Sequence, residues 1–374
     1  MKVLVVTPWY PRRGDGAGSF VEDHVRAVSD RHDVAVLHLT SARTRPALSE
    51  ERLREWSVLR SSPPLPPLPG TFVLRGLLGV VLGVRHLTRR GFRPDIVHAH
   101  VYSTGPAALL AARILRVPLV LTEHYSGLAL GDVKGLSRLA ATVVYRAADL
   151  VCAPSASLRE KLEEIAPKTA VRVVPNPVDS RLFSPHPRPT EVTPGVIRAI
   201  AVASLVPVKG LATLIDALAL AVRQEQELRL SVIGDGPLTF ELRRRAHEAG
   251  VRDRIDFRGR IPREAVADAM RNADFMVLPS KWETFSVAAA EALCSGLPVL
   301  ATRVGALPEL VDESSGRLVA PSDPSSLAAG LKWMAERSSD YDRDAIARRA
   351  ARLWGAETVG AIWNGIYAEL TAGP

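Results

Sequence analysis

Two glutamates, Glu283 and Glu291, stand eight residues apart in a stretch where most other side chains are apolar. A carboxylate offers two acceptor oxygens, so it can receive both hydroxyls of a vicinal diol such as that of a ribose or a hexose. The alternative interpretation is that Glu283 caps a helix and Glu291 lies on a solvated helix face. Alanine and leucine neighbours of Glu291 argue against that solvated face, but the spacing alone leaves both interpretations open.

The segment around these glutamates predicts the elements that would position them. Residues 275–279 and 298–302 are short apolar runs typical of buried parallel strands, and residues 285–293 form an alanine-rich run typical of a helix. In such a βαβ crossover, ligands bind beyond the carboxyl ends of the strands. The free N–H groups at the start of the helix would hold a diphosphate. Glu283 would then meet a sugar, and Glu291, roughly 7–8 Å along the helix, would meet the ribose.

This segment resembles the signature of family-4 retaining glycosyltransferases, which share the GT-B fold. In that signature seven residues separate two glutamates, an aromatic residue follows the first by two, and a Gly-x-Pro-Val strand and a Gly-x-x-Pro-Glu segment follow the helix. The matching residues are Glu283, Phe285, Glu291, Gly296, Pro298, Val299, Gly305, Pro308 and Glu309. One departure is Ser286, where the family often has glycine. The backbone N–H groups of Ser286 and Val287 can still face a phosphate.

The resemblance also implies a diphosphate ligand in Lys209, which precedes a helix predicted over residues 211–223. A lysine ammonium is a point charge that suits a phosphate. Without the resemblance, Lys209 would be interpreted as an ordinary surface lysine. The family usually has a Gly-Arg pair where this chain has an Ala-Ser pair ending in Ser204. The second cation is therefore missing or comes from another arginine, for which Arg260 and Arg303 are candidates.

Further residues complete the donor site that the resemblance implies. Gly234 and Gly236 permit a tight turn beside the ligand, and the base would stack near the strand and loop that contain Arg260. The side chains expected around the donor sugar are His124, Glu283 and Phe285. The residues assigned to catalysis are His124, Lys209 and Glu283. No residue of the sequence stands out as a covalent nucleophile.

The start of the chain predicts a nucleotide-type α/β domain, with a strand at residues 2–7, a glycine-rich loop and a helix at residues 20–31. Gly16 and Gly18 give the loop freedom to adopt positive φ angles and to approach a ligand. The glycines are not spaced as Gly-x-Gly-x-x-Gly, so no dinucleotide fingerprint is present. The family has a comparable loop near the acceptor and the donor phosphates. The alternative is an ordinary surface loop.

Three histidines at predicted strand ends, His98, His100 and His124, invite a metal interpretation, because neutral imidazoles bind zinc. No cysteine or carboxylate spacing supports such a site, and we therefore predict no metal. A DxD pattern at residues 340–342 precedes a predicted helix, so helix capping is the favoured interpretation. The resemblance implies that His124 faces the donor sugar.

The length of 374 residues fits two domains. We expect an α/β architecture of the GT-B type, with two Rossmann-like domains whose parallel sheets face each other across a cleft. The predicted acceptor-side domain covers residues 1–176, and a C-terminal helix at 355–374 packs back onto it. A proline-rich linker is predicted over 177–194, and the nucleotide-sugar-binding domain over 195–354. Residues 41–62 are charged and predicted to be partly helical.

Charge and composition favour anionic partners. Lys and Arg number 48 against 40 Asp and Glu, which suits nucleotides, phosphates or a membrane surface. No basic stripe is interleaved with aromatics, so nucleic acid is excluded as a partner. An apolar helix with basic flanks, predicted at residues 71–90, is interpreted as core, as an acceptor contact or as a membrane contact. With no typical signal peptide and two isolated cysteines, we expect a cytoplasmic protein, either free or peripheral at the inner membrane face.

The function implied by the resemblance is glycan biosynthesis by a retaining, metal-independent hexosyl- or related glycosyltransferase. It would move a sugar from a UDP- or GDP-linked donor to a glycan, lipid-linked or small-molecule acceptor, with no cofactor. A catalytically silent nucleotide-sugar-binding subunit and a GT-B-fold epimerase are the alternatives. The sequence names neither the donor sugar nor the acceptor.

Overall fold

The computed structural model describes residues 1–11, 19–40, 48–53, 55–63, 71–185, 196–222 and 227–372. The chain divides into two compact units. The first contains Met1–Pro177 and Ala356–Pro374, and the second contains Val178–Gly355. Each unit is built around a mostly parallel sheet covered by helices, so the prediction of two Rossmann-like α/β domains is confirmed.

The first unit contains an eight-stranded sheet in the order β3-β4-β2-β1-β5-β6-β7-β8. Its strands are β1 (Lys2–Thr7), β2 (Asp33–Leu39), β3 (Leu48–Arg52), β4 (Trp56–Ser61), β5 (Ile96–His100), β6 (Leu119–Thr122), β7 (Leu150–Ala153) and β8 (Val171–Val173). Its helices are α1 (Ser19–Ser29), α2 (Thr71–Arg89), α3 (Gly105–Leu115), α4 (Ser126–Ala129), α5 (Gly135–Ala147), α6 (Ala156–Ile165) and α14 (Ala356–Thr371).

Both faces of this sheet are buried, because alternate residues of β1 point into two different cores. Leu4 and Val6 pack with residues of α2 and α3, whereas Val3 and Val5 pack with residues of α1 and α14. A strand buried on both sides has a continuous apolar sequence, which is why β1 could be predicted from the sequence. Helix α14 comes close to α1 at Gly360, where a Cβ would lie 2.2 Å from the carbonyl oxygen of Ala27.

The prediction of partial helix over residues 41–62 is wrong. The described residues of this segment form β3 and β4, with β4 parallel to β2 and β3 antiparallel to β4 at the sheet edge. The charges that suggested a helix, among them Glu50, Glu51 and Arg52, lie on the short edge strand, where charged side chains discourage further pairing. Trp56 and Val58 are buried in one core and Leu59 in the other.

Helix α2 confirms the predicted helix at residues 71–90. In the described part of the chain it is the helix long and apolar enough to cross a membrane, judged by length and composition alone; a helix of a soluble core can meet the same criterion. Its buried residues, including Val80, Val84 and Leu87, contribute to the core of the first unit. The opposite side of α2 exposes large apolar side chains.

The second unit contains a six-stranded parallel sheet in the order β11-β10-β9-β12-β13-β14. Its strands are β9 (Ile197–Val202), β10 (Leu228–Ile233), β11 (Ile255–Gly259), β12 (Phe275–Leu278), β13 (Val299–Thr302) and β14 (Gly316–Val319). Its helices are α7 (Leu211–Val222), α8 (Thr239–Glu248), α9 (Arg263–Arg271), α10 (Val287–Cys294), α11 (Leu307–Leu310), α12 (Pro324–Arg337) and α13 (Arg343–Trp354). The predicted crossover is observed as β12-α10-β13, with Met276 paired to Val299.

The second unit begins earlier than the predicted linker allows. Val178 bridges Gly355, and its N–H donates to the carbonyl oxygen of Trp354 at 2.8 Å. Phe183 is fully buried in the core of this unit. Residues 178–185 therefore belong to the second unit because their apolar side chains are part of its core, whereas residues 186–194 lie outside the described residues.

Candidate active site

Lys209 and Glu283 meet where the strand order of the second sheet reverses. Because β9 lies between β10 and β12, the loops after β9 and β12 open beside each other. The Nζ of Lys209 lies 2.8 Å from Oε1 and 2.9 Å from Oε2 of Glu283, and Ser280 Oγ donates to Oε1 at 2.7 Å. The Glu283 side chain is 6% exposed and that of Lys209 is 26% exposed. The ammonium therefore keeps a face open to a ligand.

Backbone contacts hold these two loops together. The N–H of Lys281 donates to the carbonyl oxygen of Val208 at 2.7 Å. Gly210 has a φ of +67°, and a Cβ there would lie 2.0 Å from the carbonyl oxygen of Pro279. Only glycine fits such a close approach in a left-handed conformation, so the glycine after Lys209 fixes the position of the lysine.

Glu291 is buried inside α10 and is 7% exposed, so the alternative of a solvated face is wrong. Arg263, the first residue of α9, places Nη2 2.9 Å from Glu291 Oε1, and its guanidinium lies 5.3 Å from the ring centre of Phe183. Sequence reasoning missed Arg263. The two partners are 28 residues apart, on different helices, so no local pattern connects them.

In the first unit, a buried carboxylate organises the loop that carries His124. Glu123 Oε1 accepts the N–H groups of His124 at 2.9 Å and Tyr125 at 2.8 Å. Its Oε2 accepts the N–H of Tyr102 at 2.9 Å and the hydroxyl of Tyr145 at 2.8 Å. Burial raises the pKa of the Glu123 carboxyl, and these hydrogen bonds oppose the rise. Glu123 thus ties the turn after β5 to the loop after β6, a role for which sequence reasoning found no signal.

His124 belongs to a stack of imidazoles. His100 Nδ1 lies 3.0 Å from His124 Nε2, and the two rings stack with centroids 5.2 Å apart. The rings of His98 and His100 also stack, with centroids 4.6 Å apart. The ring of His24, from α1, stands edge-on to both. Two strand ends and a helix therefore bring four histidines together, of which sequence analysis missed His24.

Two family profiles match the chain almost end to end. The profile described as Glycosyltransferase Family 4 matches residues 14–182, and the profile described as glycosyl transferases group 1 matches residues 187–353. A D-inositol 3-phosphate glycosyltransferase from Xylanimonas cellulosilytica is 33% identical over 311 residues, which cover 74% of this chain and 72% of that protein. The chain belongs to glycosyltransferase family 4.

Other relatives and structures extend this assignment. An MMP alpha-(1->4)-mannosyltransferase from Mycolicibacterium hassiacum is 30% identical over 341 residues, covering 86% of this chain and 79% of that protein. A sucrose-phosphate synthase structure from Thermosynechococcus elongatus aligns with a TM-score of 0.82 at 20% identity, over all of both chains. Anabaena HepE in complex with UDP-glucose aligns with a TM-score of 0.76 at 20% identity, covering 99% of this chain and 100% of that chain. These likenesses establish the GT-B glycosyltransferase fold.

In this glycosyltransferase, Phe285 does not lie where the resemblance suggested. Its side chain is 2% exposed and packs edge-on against Trp354 with ring centres 6.3 Å apart. Because the aromatic ring is part of the core, it cannot surround a sugar. It instead anchors the loop between Glu283 and α10.

Ser286, the departure from the family glycine, adopts a φ of +73° at the N-terminus of α10. A non-glycine residue in this region is strained by about 1–2 kcal/mol. The Ser286 side chain makes no capping hydrogen bond to the helix within the described chain. The first-turn N–H groups, beginning with that of Val287, are therefore left uncapped by it and suit an anion.

The remaining predicted donor residues of the second unit lie in neighbouring loops. A Cβ on Gly234 would lie 1.9 Å from the carbonyl oxygen of Ala203. Gly236 is similarly close to the loop after β9, so these glycines permit the two loops to pack together.

Ser204 and Arg260 are exposed. Hydrogen bonds from Thr239 and Gly236 lower the pKa of Asp235, and the charge of Arg260 lowers it further, which places Arg260 near this turn. Gly16 and Gly18 lie outside the described residues.

His24, His98 and His100 are a candidate metal site, because their potential ligand atoms lie within 4.8 Å of one another. Both ring nitrogens of His98 are engaged, with Tyr367 Oη at 2.7 Å and Thr122 Oγ1 at 2.7 Å. Hydrogen bonding thus accounts for His98, which would have to give up a partner to ligate an ion. The second metal candidate, the DxD pattern, is a helix cap in which Asp342 accepts the N–H of Ala345 at 2.8 Å.

We expect the protein to lose stability in mild acid because of these three histidines. Burial, followed by the charges of neighbouring imidazoles, holds the pKa of His24 and His98 well below the ordinary value, and burial lowers the pKa of His100 to about 3. Below about pH 6.5 the unfolded chain takes up protons that the folded chain does not. Each imidazole should therefore cost about 1.4 kcal/mol of unfolding free energy between pH 7.5 and 5.5, or about 4 kcal/mol together.

Denaturant unfolding of wild type, His24→Phe and His247→Gln at the two pH values tests this expectation. His247 is exposed on α8, so its replacement should leave the pH dependence unchanged, whereas His24→Phe should reduce it by about 1.4 kcal/mol. An unfolding free energy that stays constant between pH 7.5 and 5.5 would show that the imidazoles are not buried as described.

Proposed function

We propose that this glycosyltransferase moves a sugar from a nucleotide-diphosphate sugar to an acceptor with retention of anomeric configuration. The observation that carries the proposal is the Lys209–Glu283 pair beside the first turn of α10. Lys209 and the N–H groups of α10 would bind the diphosphate and stabilise the charge on the departing nucleotide. Glu291 would bind the ribose diol and Glu283 the sugar.

The pairing of both carboxylates with cations supports an anionic donor. An unpaired Glu283 or Glu291 would repel a diphosphate, and the repulsion would be strong because both side chains are buried. Lys209 and Arg263 neutralise these charges while the carboxylates retain acceptor capacity for hydroxyls. The donor site thus presents hydrogen-bond acceptors to sugars without presenting net negative charge to phosphates.

We propose a UDP- or GDP-linked donor, because solved HepE complexes contain UDP and UDP-glucose. The acceptor is proposed only as a sugar or sugar-like compound, because the relatives carry names as different as D-inositol 3-phosphate glycosyltransferase and glycogen synthase. We keep His124 as a residue that acts on the donor sugar. We further propose that no metal is needed, because Lys209 and the α10 N–H groups supply the positive charge.

The test is a panel of UDP-, GDP- and ADP-sugars, screened first by thermal shift and then for turnover with and without chelator. A ligand at 100 times its dissociation constant adds about 2.7 kcal/mol of stability, which a melting curve resolves. The proposal requires transfer with a retained anomer and undiminished turnover in chelator. Binding without turnover would indicate a silent binding subunit, and release of an epimerised sugar would indicate an epimerase.

Replacement of Glu291 by glutamine should weaken nucleotide binding by about 1.5–3 kcal/mol, the range for hydrogen bonds to a charged group. Glutamine keeps the shape but loses the charge that receives the ribose hydroxyls and pairs with Arg263. Calorimetric titration of the nucleotide selected by the panel measures the change. Glu264→Gln is the matched control, because Glu264 is exposed one residue after Arg263. Unchanged affinity in a folded Glu291→Gln variant would remove the ribose role.

We also propose that α2 contacts an anionic lipid surface. Leu74, Leu78, Val81 and Leu82 form one stripe along the helix and are each 40–51% exposed. Exposed arginines follow at its end, and α2 contains no acidic residue. An apolar stripe with basic residues is the pattern by which an amphipathic helix binds anionic lipid.

Vesicle co-sedimentation should therefore show binding to phosphatidylglycerol vesicles and little binding to phosphatidylcholine vesicles. Leu78→Glu should reduce the bound fraction at least tenfold, because a carboxylate would enter the lipid boundary. Leu353→Glu, at an apolar residue 44% exposed on α13, is the control and should bind like wild type. Equal binding to both lipids, or no effect of Leu78→Glu, would rule out this contact.

A further inference from the structure

A cavity of about 180 Å³ lies at the carboxyl edge of the first unit's sheet. Residues at the ends of β2 and β4, the first turns of α2 and α3, and the turn Tyr102–Thr104 after β5 form its wall. This edge of a parallel sheet is where ligands of α/β domains bind. None of the residues that line the cavity is among those assigned to the donor site.

The cavity contains a fixed positive charge. The Arg75 side chain lines it and the residue is 5% exposed. A guanidinium presents a planar fork of donors that matches phosphate oxygens. Among the described residues, Arg75 is the one ionisable side chain of the cavity wall. A small cavity with one buried cation selects for an anionic group.

A second and independent observation is the hydroxyl of Ser61. This residue is fully buried at the end of β4 and lines the same cavity. Its Oγ has no hydrogen-bond partner in the described part of the chain. Leaving a buried hydroxyl unsatisfied costs about 1–3 kcal/mol, so a ligand that brings an acceptor to this hydroxyl would be stabilised there. Ser103 brings a further hydroxyl to the wall.

The rest of the wall is largely apolar, and its mouth is the exposed start of α2. Phe72 and Val73 line the cavity and are 43% and 47% exposed. The cation and the unsatisfied hydroxyl therefore lie in a pocket whose entrance suits a carbon skeleton. Several donors around one small space fit a phosphate, which has more acceptor oxygens than a carboxylate and prefers such sets of donors.

The cavity also belongs to the same loop cluster as His124. Ser103 lies in the turn whose first residue, Tyr102, donates its N–H to Glu123. Glu123 also receives the N–H of His124. A ligand in the cavity therefore contacts a turn that is tied by one carboxylate to the loop of the proposed sugar-facing histidine. Because of this connection, a ligand of the cavity is better explained as a substrate of the transfer reaction than as an effector that acts from a distance.

We propose that this cavity binds a phosphate group of the acceptor, with Arg75 pairing with its charge and Ser61 donating to one of its oxygens. The acceptor is then a phosphorylated compound, either free or as a lipid headgroup. The inference rests on the proposed function, since an acceptor exists only if the protein transfers a sugar.

The test is titration of the full chain with four probes: sn-glycerol 3-phosphate, glycerate, glycerol and dihexanoyl phosphatidic acid. We expect the two phosphates to bind wild type at least tenfold more tightly than glycerate or glycerol. Arg75→Met should weaken phosphate binding at least tenfold, and Arg75→Lys should weaken it less. Arg113→Met, at an exposed arginine of α3, should change nothing.

Ser61→Ala keeps the experiment decisive should Arg75→Met fail to fold. It removes a hydroxyl that has no partner among the described residues, so it should not lower the melting temperature. It should weaken phosphate binding about threefold. If dihexanoyl phosphatidic acid binds more tightly than glycerol 3-phosphate, the phosphate belongs to a lipid headgroup. If the two bind equally, the acceptor is a free phosphorylated compound.

Glycerol or glycerate binding as tightly as glycerol 3-phosphate would overturn the inference, and so would phosphate binding insensitive to both Arg75→Met and Ser61→Ala. Nucleotide affinity should be the same in all these variants. A failure of the proposed function appears separately, as absence of nucleotide-sugar turnover in wild type.

Discussion

Replacement of Lys209 by alanine should lower the transfer rate at least 100-fold. The variant loses the ammonium that we assign to the diphosphate, where removal of one preorganised donor typically costs about 100- to 1,000-fold in rate. It also leaves the carboxylate of Glu283, whose side chain is 6% exposed, without the cation that now lies 2.8 Å away. An uncompensated negative charge beside the incoming diphosphate adds to the loss.

Initial rates of transfer by Lys209→Ala, Lys332→Ala and wild type measure this effect. Lys332 is exposed on α12 in the same unit, so its replacement removes a lysine charge without touching the site and should leave the rate unchanged. Lys209→Ala activity above a tenth of wild type would mean that another cation, such as Arg260 or Arg303, holds the diphosphate. The donor site would then lie one loop away from the position proposed.

Ser204→Arg should partly restore transfer in the Lys209→Ala background. Ser204 is exposed in the loop after β9, at the position where the family usually has arginine, so a guanidinium there can reach the same phosphates. A charge-assisted hydrogen bond contributes about 1.5–3 kcal/mol, which corresponds to a rescue of about tenfold or more.

Glu123→Ala should destabilise the protein by about 4 kcal/mol, the largest stability effect that we expect from a single substitution. Four donors lose their acceptor, namely three backbone N–H groups and the hydroxyl of Tyr145. Each buried donor left unsatisfied costs about 1–3 kcal/mol. Water that enters the space of the missing side chain will satisfy some of them, so the total should fall below the simple sum.

Calorimetric melting resolves a change of this size, because 1 kcal/mol shifts the melting temperature by about 2–4 °C in a unit of this size. Glu163→Ala, at an exposed glutamate of α6, is the control and should stay within about 0.5 kcal/mol of wild type. A loss below 1 kcal/mol in Glu123→Ala would show that the turn after β5 and the loop carrying His124 do not depend on this carboxylate.

The parts of the fold that sequence predicted correctly are those controlled by local pattern. Strand β12, helix α10 and strand β13 were recognised because apolar runs, an alanine-rich stretch and a Gly-x-Pro stop lie within 28 residues of chain. Strands β3 and β4 were missed because charged residues on an edge strand imitate a solvated helix. The edge position that makes charge acceptable in a strand is a property of the sheet, which the local sequence does not contain.

The candidate site likewise has a part that could be predicted from the sequence and a part that only the structure showed. The sequence by itself supplied the residues to which we assign the chemistry: Glu283 and Glu291 from a recognisable βαβ segment, and Lys209 from the family resemblance. Only the tertiary structure decided their partners. Lys209 reaches Glu283 across 74 residues and Arg263 reaches Glu291 across 28. The order of strands in the sheet sets which loops meet, and hydrophobic periodicity along the chain does not encode that order.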